Sequence, residues 1–563
     1  MKVFMKKLFV LIFLLSFSAY SATQDQASDE QLIRRLYLDL FARTPDVQEF
    51  YAAKDILKGG QGYESLVDSL MANDEFKKNL SWHIIRHYGE KLNEGNVVFF
   101  ERTRRYIEKK YLNWKGDVRE LLKDILLARG PEAWNPLVRF YSGEDSPETL
   151  ATRFSERMVG IPMGCAQCHD HKFYPELLQK DFWGLTGFFQ TTKVHSVTTE
   201  NESKEVFKDS RLKGKKLGDE QINLNTWIYN ERNGIDTYKK NNMALTRNLK
   251  VYDPYAEEKE EQMMMDSSKA LLSPQVVILE EKMSANQLKV YYTHNEKPAS
   301  TSAFLPLKVP YSKSRGFPRE NVVIWMYSPN VAPHLSRTTA NWVLNWLMGR
   351  GIKEIVTDTY HSTEFDQQDA FERYGGYMRK SGYNIYKFVK FIVMSPDYRR
   401  KNSNGETEGI YKTRTLRYLA GRHLVNNLYA GENKEIEKQA ESSERFTDQV
   451  ELEIKKFQFM NTYFSNSVAP GLYEDGSTKQ ALFTATNKIW LDWAEKIALR
   501  GHRMKADEKK WLNEVFIQLY TREATEEEKN YLAGLLDSSK PFESSNYKEV
   551  VWALINSPEM RLY

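Results

Sequence analysis

Apolar residues recur at steps of three and four along most of the chain. Leu32, Ile33, Leu36, Tyr37 and Leu40 form one such stripe, and Val118, Leu121, Leu122, Ile125 and Leu126 form another. Trp342, Val343, Trp346 and Leu347 repeat it, as do Phe388, Ile392 and Val393. This is the period of helices that bury one face. Residues 411–430, 447–464, 479–500, 508–520 and 525–536 read as helices on the same ground. Between 196 and 330 the pattern changes. Gln275–Leu279 is a β-branched run, Leu288, Val290 and Tyr292 alternate with polar residues, and Asn321–Tyr327 (NVVIWMY) reads as a further strand. EEKEEQ at 257–262 is a solvated charged stretch. The pattern predicts a mainly α protein, in which multi-helical N- and C-terminal regions flank a smaller β-containing insert.

A weak internal repeat overlies the helices. IRRLYLDLFARTPDVQEF (33–50) resembles VFIQLYTREATEEEKNYL (515–532). Each is followed by a second motif, YESLVDSLMANDEF (63–76) and YKEVVWALINSPEM (547–560), with a shorter version in YKFVKFIVMSPDY (386–398). Each reads as a helix with one apolar face, stopped by Ser-Pro or Asn-Asp. The copies are scattered, unlike a solenoid array.

The start of the chain is of another kind. Lys2, Lys6 and Lys7 precede an apolar run from Leu8 to Phe17, and Ala19 and Ser21 stand at −3 and −1 of a cleavage site. The run is shorter than the roughly 20 residues of a membrane span, so 1–21 reads as a signal peptide. The protein is expected to be exported, periplasmic or at the cell surface, and not an integral membrane protein after cleavage. Cleavage removes three lysines and no acid, so the excess of four cations falls to one. A nearly neutral chain gives no case for nucleic-acid binding. With 28% charged and 13% aromatic residues it is not disordered. The domain reading is 1–21 signal peptide, 22–195 helical, 196–330 insert and 331–563 helical.

The 563 residues contain two cysteines, too few for a disulfide scaffold. Both fall in Gly164-Cys165-Ala166-Gln167-Cys168-His169-Asp170-His171. C-x-x-C-H is the attachment pattern of c-type haem. Sulfurs three residues apart can share one side of a turn and bond both vinyl groups of a porphyrin, and His169 is then the proximal iron ligand. Covalent attachment keeps haem on an exported protein. The residues leave other readings open. Cys165 and Cys168 could close a disulfide, or join His169 and His171 around zinc, a cramped set for a tetrahedral ion. Asp170 could orient a neighbouring imidazole. No sixth iron ligand stands out among Met158, Met163, His83, His87 and His195. Met158 shares an apolar stripe with Leu150 and Phe154, which suits core packing.

Around this motif the sequence resembles a known family. GEDSPETLATRFSERMVGIPMGCAQCHDHKF (143–173) and DFWGLTGFF (181–189) resemble the planctomycete-type cytochrome c-like domain of unknown function. RRLYLDLFARTPDVQEF and YESLVDSLMANDEF resemble its opening. SRTTANWVLNWLMGRGI (336–352), SGYNIYKFVKFIVMSPDYR (381–399), LYTREATEEEKNYL (519–532) and WALINSPEM (552–560) resemble the companion domain usually fused to it. The resemblance covers roughly two thirds of the chain. Lys172 stands where the family has Pro, Asn345 where Arg is common, and 196–330 matches little. The resemblance implies an exported protein with a haem c motif and no defined reaction. The expectation is electron transfer or haem-based redox chemistry, the latter as a haem-dependent oxidoreductase, with a redox partner protein or an extracellular polymer as partner. The competing expectation is a non-haem surface-binding or scaffold protein, whose C-x-x-C is a disulfide or a metal clip.

Overall fold

The structure, a computed structural model, describes residues 26–563 apart from 60–61, 90–96, 113–115, 132–134, 142–145, 199–274, 282–288, 310–317, 356, 362–363, 404–413, 416, 439–442, 464–484 and 505–506. The signal segment 1–21 and the charged stretch 257–262 lie outside the described residues.

The protein is mainly α. The first half carries α1 (Asp29–Phe41), α2 (Val47–Lys58), α3 (Gly62–Ala72), α4 (Asp74–Tyr88), α5 (Val97–Ile107), α6 (Val118–Leu126), α7 (Pro147–Val159) and α8 (Gln179–Thr186). Then come α9 (Pro318–Tyr327), α10 (Ala332–Met348), α11 (Phe365–Lys380), α12 (Ile385–Met394) and the short α13 (Pro396–Arg399). The C-terminal part carries α14 (Gly421–Leu428), α15 (Ala430–Glu437), α16 (Ser443–Tyr463), α17 (Lys488–Met504), α18 (Glu508–Tyr520), α19 (Glu526–Ala533), α20 (Tyr547–Ile555) and α21 (Pro558–Arg561). Strands are few among the described residues. β1 (Gly130–Pro131), β2 (Thr192–Thr198) and β3 (Gln275–Glu281) form an antiparallel sheet in the order β1-β3-β2, with Val194 opposite Leu279. β4 (Lys289–His294) and β5 (Lys297–Ser302) form a hairpin whose turn residues Asn295 and Glu296 both have positive φ, 48° and 63°. β6 (Asn402–Ser403) and β7 (Arg414–Thr415) pair in parallel.

Two readings of the sequence are corrected. NVVIWMY is part of helix α9. Pro318 opens the helix, as its fixed φ favours, and the buried Val322, Trp325 and Met326 follow the helical period that the β-branched run obscures. The described residues of 414–420 are not helical. Arg417 and Leu419 bond backbone-to-backbone with Tyr563 and Arg561, so this stretch runs extended beside the C-terminus and the helix starts at Gly421.

The stripe on α1 is only part of its buried surface. Every residue from Leu32 to Phe41 is buried. Ile33, Leu36 and Leu40 belong to the larger core, and Leu38 to the C-terminal one. The helix therefore serves both, and its charged groups are satisfied inside. Arg34 donates to the Leu519 carbonyl at 2.9 Å, and Asp39 accepts from Arg417 at 2.7 Å and from the Tyr398 hydroxyl at 2.8 Å.

The internal repeat is a repeat of structure. α1 ends on Ala42 (φ 55°) and α18 on Thr521 (φ 57°), both left-handed caps. The next residue is an arginine in each. Arg43 bonds Glu49 at 2.8 Å, and Arg522 bonds Glu528 at 2.7 Å; each glutamate completes the capping box of the following helix. The same arginines reach the second motif. Arg43 holds Glu75 at 2.7 Å, and Arg522 holds Glu559 at 2.9 Å. Both motifs recur together because one arginine ties them. In the third version Ser395 caps α13, and Asp397 accepts from Arg373 at 3.1 Å.

Candidate functional site

The helix that leads into the cysteine segment is fixed at both ends. Ser146 caps α7 by accepting from the Thr149 amide at 3.1 Å, and Pro147 fills its first turn. Leu150, Phe154 and Met158 are buried along one face, so Met158 packs in the core as its stripe implied. α7 ends on Gly160 with φ 65°. A Cβ there would sit 2.1 Å from the Thr359 hydroxyl and 2.3 Å from that of Thr338, so only glycine fits. The Gly160 carbonyl accepts from the Thr359 amide at 3.0 Å, which brings the 357–361 segment against the cysteine loop.

Met163–Gln167 then forms a 3-10 turn. Its three-residue period superposes positions i and i+3. Met163 and Ala166 face inward and are fully buried, while Cys165 and Cys168 are exposed and free. His169 follows, also exposed. Its Nδ1 lies 2.6 Å from the Asp170 carbonyl. A carbonyl only accepts, so Nδ1 carries the proton and Nε2 keeps its lone pair. Asp170 thus orients the imidazole with its backbone, while its carboxylate accepts from the Gln179 amide at 2.8 Å at the start of α8.

His171 is placed differently. It is buried against Tyr174, and its Nδ1 accepts from the Phe173 and Tyr174 amides, each at 3.1 Å. The proton of the neutral ring then sits on Nε2, which has no partner. Burial lowers its pKa, against the pull of Asp358. Held this way, His171 presents a donor and not a lone pair. Among the described residues no three His, Cys, Asp or Glu side chains converge to hold a metal ion.

Acidic groups that sequence reasoning did not single out surround the loop. The Glu156 carboxylate accepts from the Gly164 amide at 3.3 Å, and burial raises its pKa to about 7. Asp358 accepts from the Tyr174 hydroxyl at 3.1 Å. His361 pairs with Glu176. Partial burial, then the charges of Glu156 and Asp358, raise the Cys165 pKa. A reactive dithiol needs the opposite shift. Helical position near Gly160 could have flagged Glu156, but nothing local marks Asp358 or His361, which arrive from far along the chain.

The described part of the insert backs the same loop. The Gln167 carbonyl accepts from Gln179 and from Trp183 Nε1, each at 3.1 Å. Trp183 stacks on Tyr292 of β4 at 5.5 Å, and Gln179 also donates to the Thr293 carbonyl at 2.8 Å. Val290 is buried and Tyr291 exposed, the alternation the sequence implied.

The other candidate ligands lie elsewhere. Met163 is sealed in the core. His83 stacks on Trp346 at 4.3 Å, and burial takes its pKa well down. His87 stacks on Trp342, its Nε2 is 3.0 Å from the Arg157 carbonyl, and burial lowers its pKa to about 3. His195 stands on β2 opposite Ile278.

The fold and loop define a mainly helical protein that presents a C-x-x-C-H turn from its surface. Residues 138–194, which contain this turn, match the PSCyt2 family model, described as a protein of unknown function (DUF1549). That match supports a planctomycete-type domain of unknown function in this segment. No curated protein and no solved structure matches the chain. Among the described residues no helix is long and apolar enough to cross a membrane.

Proposed function

We propose that the chain is an exported c-type haem-binding protein, with Cys165 and Cys168 as the attachment sulfurs and His169 as the proximal ligand. One observation carries this reading. Two free thiols share the outer side of a single turn, and the next residue is an imidazole whose Nδ1–H is fixed on a carbonyl. Histidines that bind metal commonly donate their other N–H in this way. The donor set therefore fits the group. Haem bound there would supply an iron redox couple for electron transfer or oxidation.

The protein's own part is to present these groups at its surface. The 3-10 turn carries Cys165 and is capped by Cys168, and the Asp170 carbonyl selects the His169 tautomer. Partial burial and the nearby Glu156 and Asp358 charges disfavour the Cys165 thiolate. Export follows from the pattern of 1–21, and 331–563 is read as the companion of the cysteine-bearing region. Haem staining of a denaturing gel tests the reading, with protein made in a host that attaches haem to C-x-x-C-H. The full-length band should stain, and Cys165→Ala/Cys168→Ala should not. A wild-type band without stain contradicts the assignment.

A further inference from the structure

A cavity of about 50 Å3 lies among α4, α5, α14, α15 and α16, and none of its walls comes from the cysteine loop. One water needs roughly 10–15 Å3 by this measure, so there is room for an ion of a few heavy atoms. The wall is charged, and its charges are unevenly matched. Arg43 has two carboxylates, Glu49 and Glu75, and Arg104 has two, Glu101 and Glu108. At the other end one acid serves two lysines, and a third cation, Arg422, stands beside them. Glu453 lies 2.9 Å from Lys456 and 3.5 Å from Lys78. Arg422 pairs with no carboxylate among the described residues. It donates to the Asn79 side-chain oxygen, and its guanidinium carbon lies over the Trp82 ring, 4.0 Å from the centroid. Glu101 also faces Arg422 but is bonded to Arg104 at 2.6 Å. Burial lowers the pKa of Lys456 and takes that of Arg422 to about 9, against the pull of Glu453.

We infer that the Arg422–Lys456 end of this cavity binds a small oxyanion: phosphate, sulfate, or the same group on a larger ligand. A guanidinium placed over an aromatic ring can still direct N–H donors in its own plane to such an anion, which a lysine ammonium cannot do bidentately. The buried ammonium of Lys456 adds charge, and Asn426 and Asn433 on the same wall are neutral hydrogen-bonding groups.

Thermal unfolding of the mature chain tests this, with inorganic phosphate, sulfate or acetate added, each against chloride at equal ionic strength. At least one oxyanion should raise the melting temperature saturably. Arg422→Gln should weaken that effect roughly tenfold or more, the loss of a charge-assisted hydrogen bond. Lys78→Gln, at the partly exposed edge, should weaken it less and serves if the first variant does not fold. A response to phosphate or sulfate that exceeds the response to acetate supports the inference, and an equal response to acetate contradicts it. No saturable rise over chloride, or an unchanged rise in both variants, overturns the inference.

Discussion

Single residues around the cysteine loop carry measurable consequences. Glu156 has a folded pKa near 7, above its unfolded value, because burial disfavours its charge. The folded state then holds a proton that the unfolded state has released between about pH 4.5 and 7, so stability falls as pH rises through that window. The full effect is on the order of 3 kcal/mol. Glu156→Gln should flatten the decline, seen as melting temperatures that no longer drop relative to wild type between pH 5 and 8. A variant that tracks wild type would show that this carboxyl titrates normally. Gly160→Ala is expected to destabilise by at least about 1–2 kcal/mol from the left-handed backbone alone, with the Thr338 and Thr359 contacts adding to it. Denaturant unfolding would report this, and a neutral outcome would mean that the 357–361 segment is not pinned here. The cysteines and His169 were legible because their chemistry is local. Asp358 was not, since only the folded chain brings it to Tyr174.

At the scale of elements, the two arginine clamps are the clearest feature. Burial would raise the Glu49 pKa, yet its bonds to Arg43 hold it at about 2. The depressed carboxyl stabilises the fold above its unfolded pKa, and that stability is lost as pH falls toward 2. Arg43→Ala leaves two glutamates facing each other in a largely buried setting and should cost about 3–5 kcal/mol. Arg522→Ala should cost less, since its clamp is more exposed. Urea unfolding of both variants checks the order, and equal losses near zero would reduce the clamps to surface pairs. The helices were readable from their buried faces, down to Glu508–Tyr520 for the expected 508–520. NVVIWMY was misread because a short apolar run looks alike in strand and helix until its buried positions are known. The repeat was visible as sequence, but its cause, one arginine joining two distant capping motifs, was not.

For the whole molecule, α1 joins the larger core to the C-terminal one, while α8 joins the β4–β5 hairpin to the back of the cysteine turn. The turn is therefore a surface element braced from behind by distant segments, with both sulfurs and His169 outward. Helical content was legible from periodicity; these cross-connections were not, because nothing in the local pattern marks Arg34 and Asp39 as buried. The central claim is that this turn carries haem through Cys165 and Cys168. It is tested most directly by the intact mass of the purified mature protein, made in a host that attaches haem to C-x-x-C-H motifs, together with its reduced pyridine haemochrome spectrum. The account predicts a mass above that of the bare polypeptide by one haem, with a haemochrome of the c type, and loss of both in Cys165→Ala/Cys168→Ala. A mass equal to the bare polypeptide, with no haemochrome, would contradict it.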